Sequence, residues 1–176
     1  IAMGNNTTAS DISSVVIGQY NSSGSSATSA GSFSTSAPAF VIGNGTDLDN
    51  KSDALVVKFN GDATLAGNLS INSDARLKAN IISLGSTLSK LLLIDGKSYT
   101  MKKDNSEKQK IGLLAQDIEK VFPELVSESR GVKSVNYQGL VPVLINALKE
   151  QQAEIDRLKT QEERLERLER LVAAMD

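Results

Sequence analysis

The reading of this chain turns on residues 68–81, NLSINSDARLKANI. The first half alternates apolar and polar positions, with Leu69 and Ile71 on one face, which predicts a β-strand. The second half places Ser73, Asp74, Arg76 and Lys78 within six residues. Charge habit changes at the same point. Residues 1–72 carry Lys51 and Lys58 against five aspartates, a net −3, whereas residues 73–176 carry 17 basic and 16 acidic groups, a net +1. A strand that closes one kind of chain runs directly into a motif that opens another.

Composition limits the chemistry. The 176 residues include no cysteine and no histidine. Disulfides, thiolate zinc sites, cysteine nucleophiles, imidazole ligands and Ser-His-Asp triads are therefore excluded. No metal or cofactor is expected, and catalysis would fall to hydroxyl, carboxylate, lysine, tyrosine or backbone groups. A net charge of −2 argues against a general nucleic-acid binder. No apolar run reaches the ~20 residues of a membrane span, so no membrane insertion is expected. The sequence opens IAMGNN without an initiator methionine, which suggests a C-terminal piece of a longer chain.

In residues 1–46, 32 positions are Ser, Thr, Gly, Ala or Asn, a composition that by itself would fit a flexible linker. Two similar blocks, SSVVIGQ at 13–19 and PAFVIGN at 38–44, point instead to short strands closed by glycine, as in a β-roll, β-prism or β-helix. One such thin coil buries little by itself, so several chains would share a core. Residues 54–59, ALVVKF, place Leu55, Val57 and Phe59 on one face, and Asn60-Gly61 is a strong hairpin turn. ATLA and LSIN would complete a meander whose last strand delivers Ser73.

Downstream, Leu84, Leu88 and Leu92 recur at helical spacing. LLLI, Asp95-Gly96 and KSYTM read as a two-residue hairpin, DNSEK at 104–108 as a loop tip, and KIGLLA at 110–115 as a strand. QDIEKVF reads as a short helix with Asp117 in its first turn and Pro123 at its end, and SVNY at 134–137 as a strand. A final helix starts near Gly139 with Pro142 in its first turn, where a missing N–H costs little. Val141, Leu144, Leu148, Ile155 and Leu158 form an a/d seam, and Leu165, Leu168, Val172 and Met175 a second one offset by three residues. About 37 residues of amphipathic helix, some 55 Å long, calls for partner helices. The predicted fold class is α+β, with a β-rich fibre-like segment (1–72), a small mixed domain (73–138) and a coiled-coil helix (139–176).

Ser73 and Lys78 suggest nucleophile and base. A serine hydroxyl needs a base to remove its proton, and with no histidine present a neutral lysine is the substitute. The ordinary lysine pKa near 10.4 would have to fall through burial or a like charge such as Arg76, while Asp74 would orient the lysine or polarise the serine. Five-residue spacing gives no help: a strand puts the two side chains on opposite faces and a helix sets them far apart around its axis. A bend, or a lysine from another chain, is required. The same residues also fit an exposed turn or a helix cap.

Three blocks add context. SDARLKANI, KIGLLAQDIEKVFPELV and VNYQGLVPVLINALKEQQAEIDRL, in this order, resemble the endosialidase-type intramolecular chaperone domain found at the C-termini of phage tail spikes and fibres. The resemblance runs from Ser73 to about Leu158. It implies a domain that homotrimerises, registers the strands before it, and then cuts itself off before the motif serine. Carried over, the scissile bond is Asn72–Ser73, Ser73 is the nucleophile and Lys78 the proton acceptor of a self-cleaving serine endopeptidase, with Asp74 and Arg76 in support. Some members use a histidine near the site; this chain has none. The implied setting is a phage tail or a bacterial surface, with a cell-surface receptor or glycan as a further partner of the mature fibre. The alternative is a trimeric foot or receptor-binding tip that does not cleave. A calcium loop at DLDNKSD (47–53) is rejected, because Lys51 and Lys58 occupy two ligand positions and the sixth position is not glycine.

Overall fold

The computed structural model describes residues 1–28, 31–102 and 108–175. It divides into two units, Ile1–Lys78 and Ala79–Asp176. Both strands and helices are present, in three separate sheets and one long C-terminal helix.

In the first unit one sheet holds five strands in sequence order: β1 (Ala2–Asn5), β2 (Val15–Gln19), β3 (Pro38–Asn44), β4 (Asp53–Lys58) and β5 (Ala63–Leu65). The pairs β1·β2 and β2·β3 are parallel, and β3·β4 and β4·β5 antiparallel. Parallel pairing stacks three like rungs, Met3-Gly4-Asn5, Ile17-Gly18-Gln19 and Ile42-Gly43-Asn44, in direct register. The two glycine-closed blocks are thus neighbouring rungs, and the opening residues form a third, which the sequence pattern did not mark.

Glycine is required in this stack. Gly4 and Gly18 have φ of 138° and 100°, and a Cβ on either would stand 1.8 and 2.2 Å from the carbonyl oxygens of Gly18 and Gly43. Val16 and Val41 lie fully buried on one side of the sheet, with Ala37 beside them. The connecting segments are not free linker. Buried Asn21 accepts from the Thr8 amide (2.8 Å) and donates to the carbonyls of Thr8 and Ser23. Asp53 accepts from the amides of Ser22 and Ser23, and Asp11 from that of Thr28. Polar side chains here satisfy loop backbone that has no ladder partner, which accounts for so polar a composition in an ordered segment.

The hairpin at Asn60-Gly61 forms as read, with Gly61 at φ 90° and the Asn60 side chain accepting from the Asp62 amide. The strand predicted over LSIN does not. Residues 68–74 have no ladder partner, and Leu69 and Ile71 are exposed. Alternation supplies a face for a strand but no edge to pair with.

The second unit gathers its core from three elements. Ile118 and Phe122 of α2 (Ala115–Val121, with Phe122 as its C-cap), Leu125, and Leu140 and Val143 of α3 (Leu140–Ala173) form one buried cluster. Asp117 stands in the first turn of α2 and Pro123 follows its end, as expected. The leucine-spaced helix is only α1 (Leu88–Leu91), because Gly85 at φ 65° and the loop to Thr87 keep Leu84 outside it. LLLI is not a strand either: its residues finish α1 and turn away. Lys97–Tyr99 (β6) pairs instead with Lys110–Gly112 (β7) across a longer connection. The predicted loop tip at DNSEK falls largely outside the described residues. A second hairpin, β8 (Val126–Ser129) with β9 (Val132–Val135), turns at Arg130-Gly131, both at positive φ, the pairing that suits a tight two-residue turn. β8 went unread because VSES is short and mostly polar.

α3 is 34 residues long, about 51 Å. Leu140, Val143 and Ala147 face its own unit and are buried. Val141, Leu144, Leu148, Ile155, Leu158, Leu165, Leu168 and Val172, on the seams read from the sequence, are all exposed. Glu150, further along, ties α3 to the start of α1. Its carboxylate accepts from Ser86 Oγ (2.5 Å) and from the Thr87 and Leu88 amides (2.5 and 3.2 Å), while Thr87 Oγ1 donates to the Val143 carbonyl.

Candidate self-cleavage site

After Asn72 the extended chain enters a single 3₁₀ turn, Ala75–Leu77. Asp74 caps it: its Oδ1 accepts from the Arg76 amide at 2.9 Å, and the Lys78 amide closes the turn on the Ala75 carbonyl. Asp74 sits before the turn in extended geometry (φ −62°, ψ 134°), and Lys78 leaves it extended (φ −119°, ψ 148°). One turn set between two extended residues is the bend that the five-residue spacing demanded. Lys78 Nζ reaches Ser73 Oγ at 2.7 Å, within the same chain.

The other two members of the motif serve each other. The Arg76 guanidinium grips the Asp74 carboxylate through Nε (3.1 Å to each oxygen) and Nη2 (2.6 Å). That grip, with the Arg76 amide, holds the Asp74 carboxyl below the usual aspartate range, and Asp74 in turn raises Arg76. Asp74 therefore shapes the turn and engages Arg76, whose amide and guanidinium take up its carboxylate. Arg76, neutralised by its partner, is a weaker like charge than the sequence suggested. Asn72, Ser73, Asp74, Arg76 and Leu77 line a shallow surface depression, and every one of these residues is exposed. Among the described residues no group of carboxylates could hold a metal ion, and no helix is long and apolar enough to cross a membrane.

The arrangement can do one thing chemically without outside groups. A hydroxyl on residue 73 lies next to the carbonyl of residue 72 by covalent connection, and an amine stands within hydrogen-bond reach to take or give its proton. As placed, the ammonium donates to the hydroxyl; with the amine neutral the same contact runs from hydroxyl to amine. Residues 73–127 match the family model described as chaperone of endosialidase. The match begins at Ser73 itself. The chain is also 31% identical over 114 residues to the long tail fiber protein Gp37 of Salmonella phage S16, an alignment covering 59% of this chain and 15% of that protein.

The cap on α1 by Glu150 escaped the sequence reading, since a glutamate 63 residues from Thr87 carries no local signature. The Asp74–Arg76 clamp had one: an Asx cap followed two residues later by the side chain it holds.

Proposed function

We propose that residues 73–176 act as an intramolecular chaperone of a phage tail fibre segment, trimerising through α3 to bring three N-terminal segments into register. The domain then releases itself by cutting Asn72–Ser73. The observation that carries the chemical part is the 2.7 Å contact of Lys78 Nζ with Ser73 Oγ, at the first residue of the matched segment. Lys78, as the neutral amine, takes the hydroxyl proton while Oγ attacks the Asn72 carbonyl carbon. The C–N bond to Ser73 breaks and its nitrogen takes up a proton, leaving an ester between Asn72 and Ser73 Oγ. Water then adds to the ester, giving a carboxylate on Asn72 and a free amine and hydroxyl on Ser73. Each chain turns over once, in cis.

Alignment between chains accounts for the chaperone role. Parallel rungs separated by long loops are non-local pairings whose closure entropy precedes any reward, which makes their registration slow. Helices held together at one end reduce that search to a local one. Removal of the helix afterwards leaves a fibre protected by its unfolding barrier. The virion tail is the corresponding location, with a receptor or glycan as the partner of the released fibre.

The test is intact mass of purified chains over time. Wild type yields fragments 1–72 and 73–176, while Ser73→Ala and Lys78→Ala remain whole. Wild type that stays whole for days alongside Ser73→Ala would sink the peptidase reading. One observation favours a second reading, a trimeric foot that never cleaves: Ser73 and Lys78 are both exposed in the single chain. That reading expects a stable oligomer indifferent to Lys78→Ala.

A further inference from the structure

Attack by Ser73 on the Asn72 carbonyl leaves an ester, and the residues around it decide how that ester ends. The Ser73 amine freed in the first step stays beside the ester, and its return attack restores the peptide bond, the more stable of the two. Release therefore depends on how quickly the ester meets another nucleophile. Few groups could activate a water there. Asn72, Ser73, Asp74, Arg76 and Leu77 line the depression, and the chain has no histidine. Both Asp74 oxygens are taken by Arg76, Oδ1 by its amide at 2.9 Å and Oδ2 by Nη2 at 2.6 Å. Lys78 Nζ lies on Ser73 Oγ at 2.7 Å. One more nucleophile is already attached to the ester, the carboxamide of Asn72. Asn72 is exposed and lies in no strand or helix, whereas the carboxamides of Asn21, Asn60 and Asn136 accept from the amides of Thr8, Asp62 and Gly139.

We propose that Asn72 resolves its own ester: its side-chain nitrogen attacks the ester carbon and closes a five-membered imide. The C–Nδ2 bond forms as the C–Oγ bond to Ser73 breaks. One Nδ2 proton passes to the Lys78 amine, which returns a proton to Ser73 Oγ across the 2.7 Å contact. The products are a C-terminal succinimide on residue 72 and a Ser73 with free amine and hydroxyl, and no water is consumed. Water enters one step later. It opens the ring at either carbonyl, giving asparagine with an α-carboxylate or its isomer with an α-carboxamide and a side-chain carboxylate. Ring closure is unimolecular, and aligned groups reach effective molarities of roughly 10⁵–10⁸ M, which offsets the weak nucleophilicity of an amide nitrogen. Asn72 is thereby a catalytic residue that also sets specificity at the cut. Glutamine would need a six-membered ring, and alanine supplies no nucleophile. The inference deepens the second half of the proposed self-cleavage and rests on its first half, the attack by Ser73.

The experiment follows fragment 1–72 released from the full chain, by intact mass over time in samples quenched in mild acid, which preserves imides. Wild type is expected to give this fragment first at one water below its hydrolysed mass, with the loss placed at residue 72 by fragmentation. The light form then converts to two isomers of the hydrolysed mass that separate by chromatography. Asn72→Ala, in a segment outside every strand and helix, should give the hydrolysed mass alone and release at least about tenfold more slowly. A wild-type fragment that carries only the hydrolysed mass from the first time point, released no faster than from Asn72→Ala, overturns the inference and leaves the cut by Ser73 and Lys78 standing. A light fragment released equally well from Ser73→Ala overturns the ester step, because the carboxamide would then act on the peptide bond itself. Wild type that never yields a fragment overturns the cut and this inference together.

Discussion

At Ser73 the decisive geometry is made by its neighbours. Asp74 caps the turn and Arg76 holds Asp74, so the pair fixes the bend across which Lys78 meets the hydroxyl. Asp74→Ala is therefore expected to slow release about tenfold without abolishing it, as the loss of a cap weakens but does not erase a turn. Intact mass taken as a time course checks it, and a rate equal to that of Ser73→Ala would mean that Asp74 takes part in the chemistry. Glu150 offers a second test at this scale. Ser86 Oγ, followed by the amides of Thr87 and Leu88, holds its carboxyl below the usual glutamate range. A depressed folded-state pKa contributes stability that is complete above the unfolded value and lost as pH falls through the folded one. Glu150→Gln should accordingly lower the thermal midpoint at pH 7. The gap to wild type should narrow once pH drops below the ordinary glutamate value; a gap constant down to pH 3 would remove ionisation from the account.

Among the elements, the glycine stack and the core of the second unit make separate claims. Gly18→Ala puts a methyl 2.2 Å from the Gly43 carbonyl at a φ of 100°, and backbone cannot yield as a flexible side chain would. A loss of about 2–4 kcal/mol is expected, read by denaturant unfolding of the first unit, while Gly67→Ala, whose Cβ would meet nothing within 4 Å, should be near neutral. Phe122→Ala opens the cluster of Ile118, Leu125, Leu140 and Val143 at a cost of about 3–5 kcal/mol. These elements also show what sequence can carry. The VIG blocks, the Asn60-Gly61 turn, α2 between Asp117 and Pro123, and α3 were legible because each rests on local chemistry or a period. LSIN and LLLI misled because alternation and apolarity say nothing about an edge to pair with. β6 found its partner at β7, across a connection that no local signal specified. At the candidate site the residues were legible one by one. The bend that joins Ser73 to Lys78, and the pairing that takes Asp74 away from the lysine, depend on backbone angles that spacing leaves open.

For the whole molecule the question is what the exposed seams of α3 do. Leu144, Leu148, Ile155 and Leu158 are 38–63% exposed on a helix whose inner face is already satisfied by Leu140, Val143 and Ala147. Past Glu150 none of the helix's residues is buried, so its last six turns gain no core from their own chain. A helix of this composition persists over such a length when other helices cover its seam. Replacing Leu148 and Leu158 with glutamate keeps helix propensity but places like charges at the seam of every copy. The expected outcome is loss of the oligomer by light scattering. Val143 and the core around it remain intact, because the two seam positions do not enter that cluster. If assembly precedes the cut, the double variant also stays uncleaved, with Ser73 and Lys78 unaltered. An oligomer that survives the double substitution would overturn assembly through the seams of α3. A monomer that still yields the 73–176 fragment would show instead that Lys78 serves Ser73 without any partner chain.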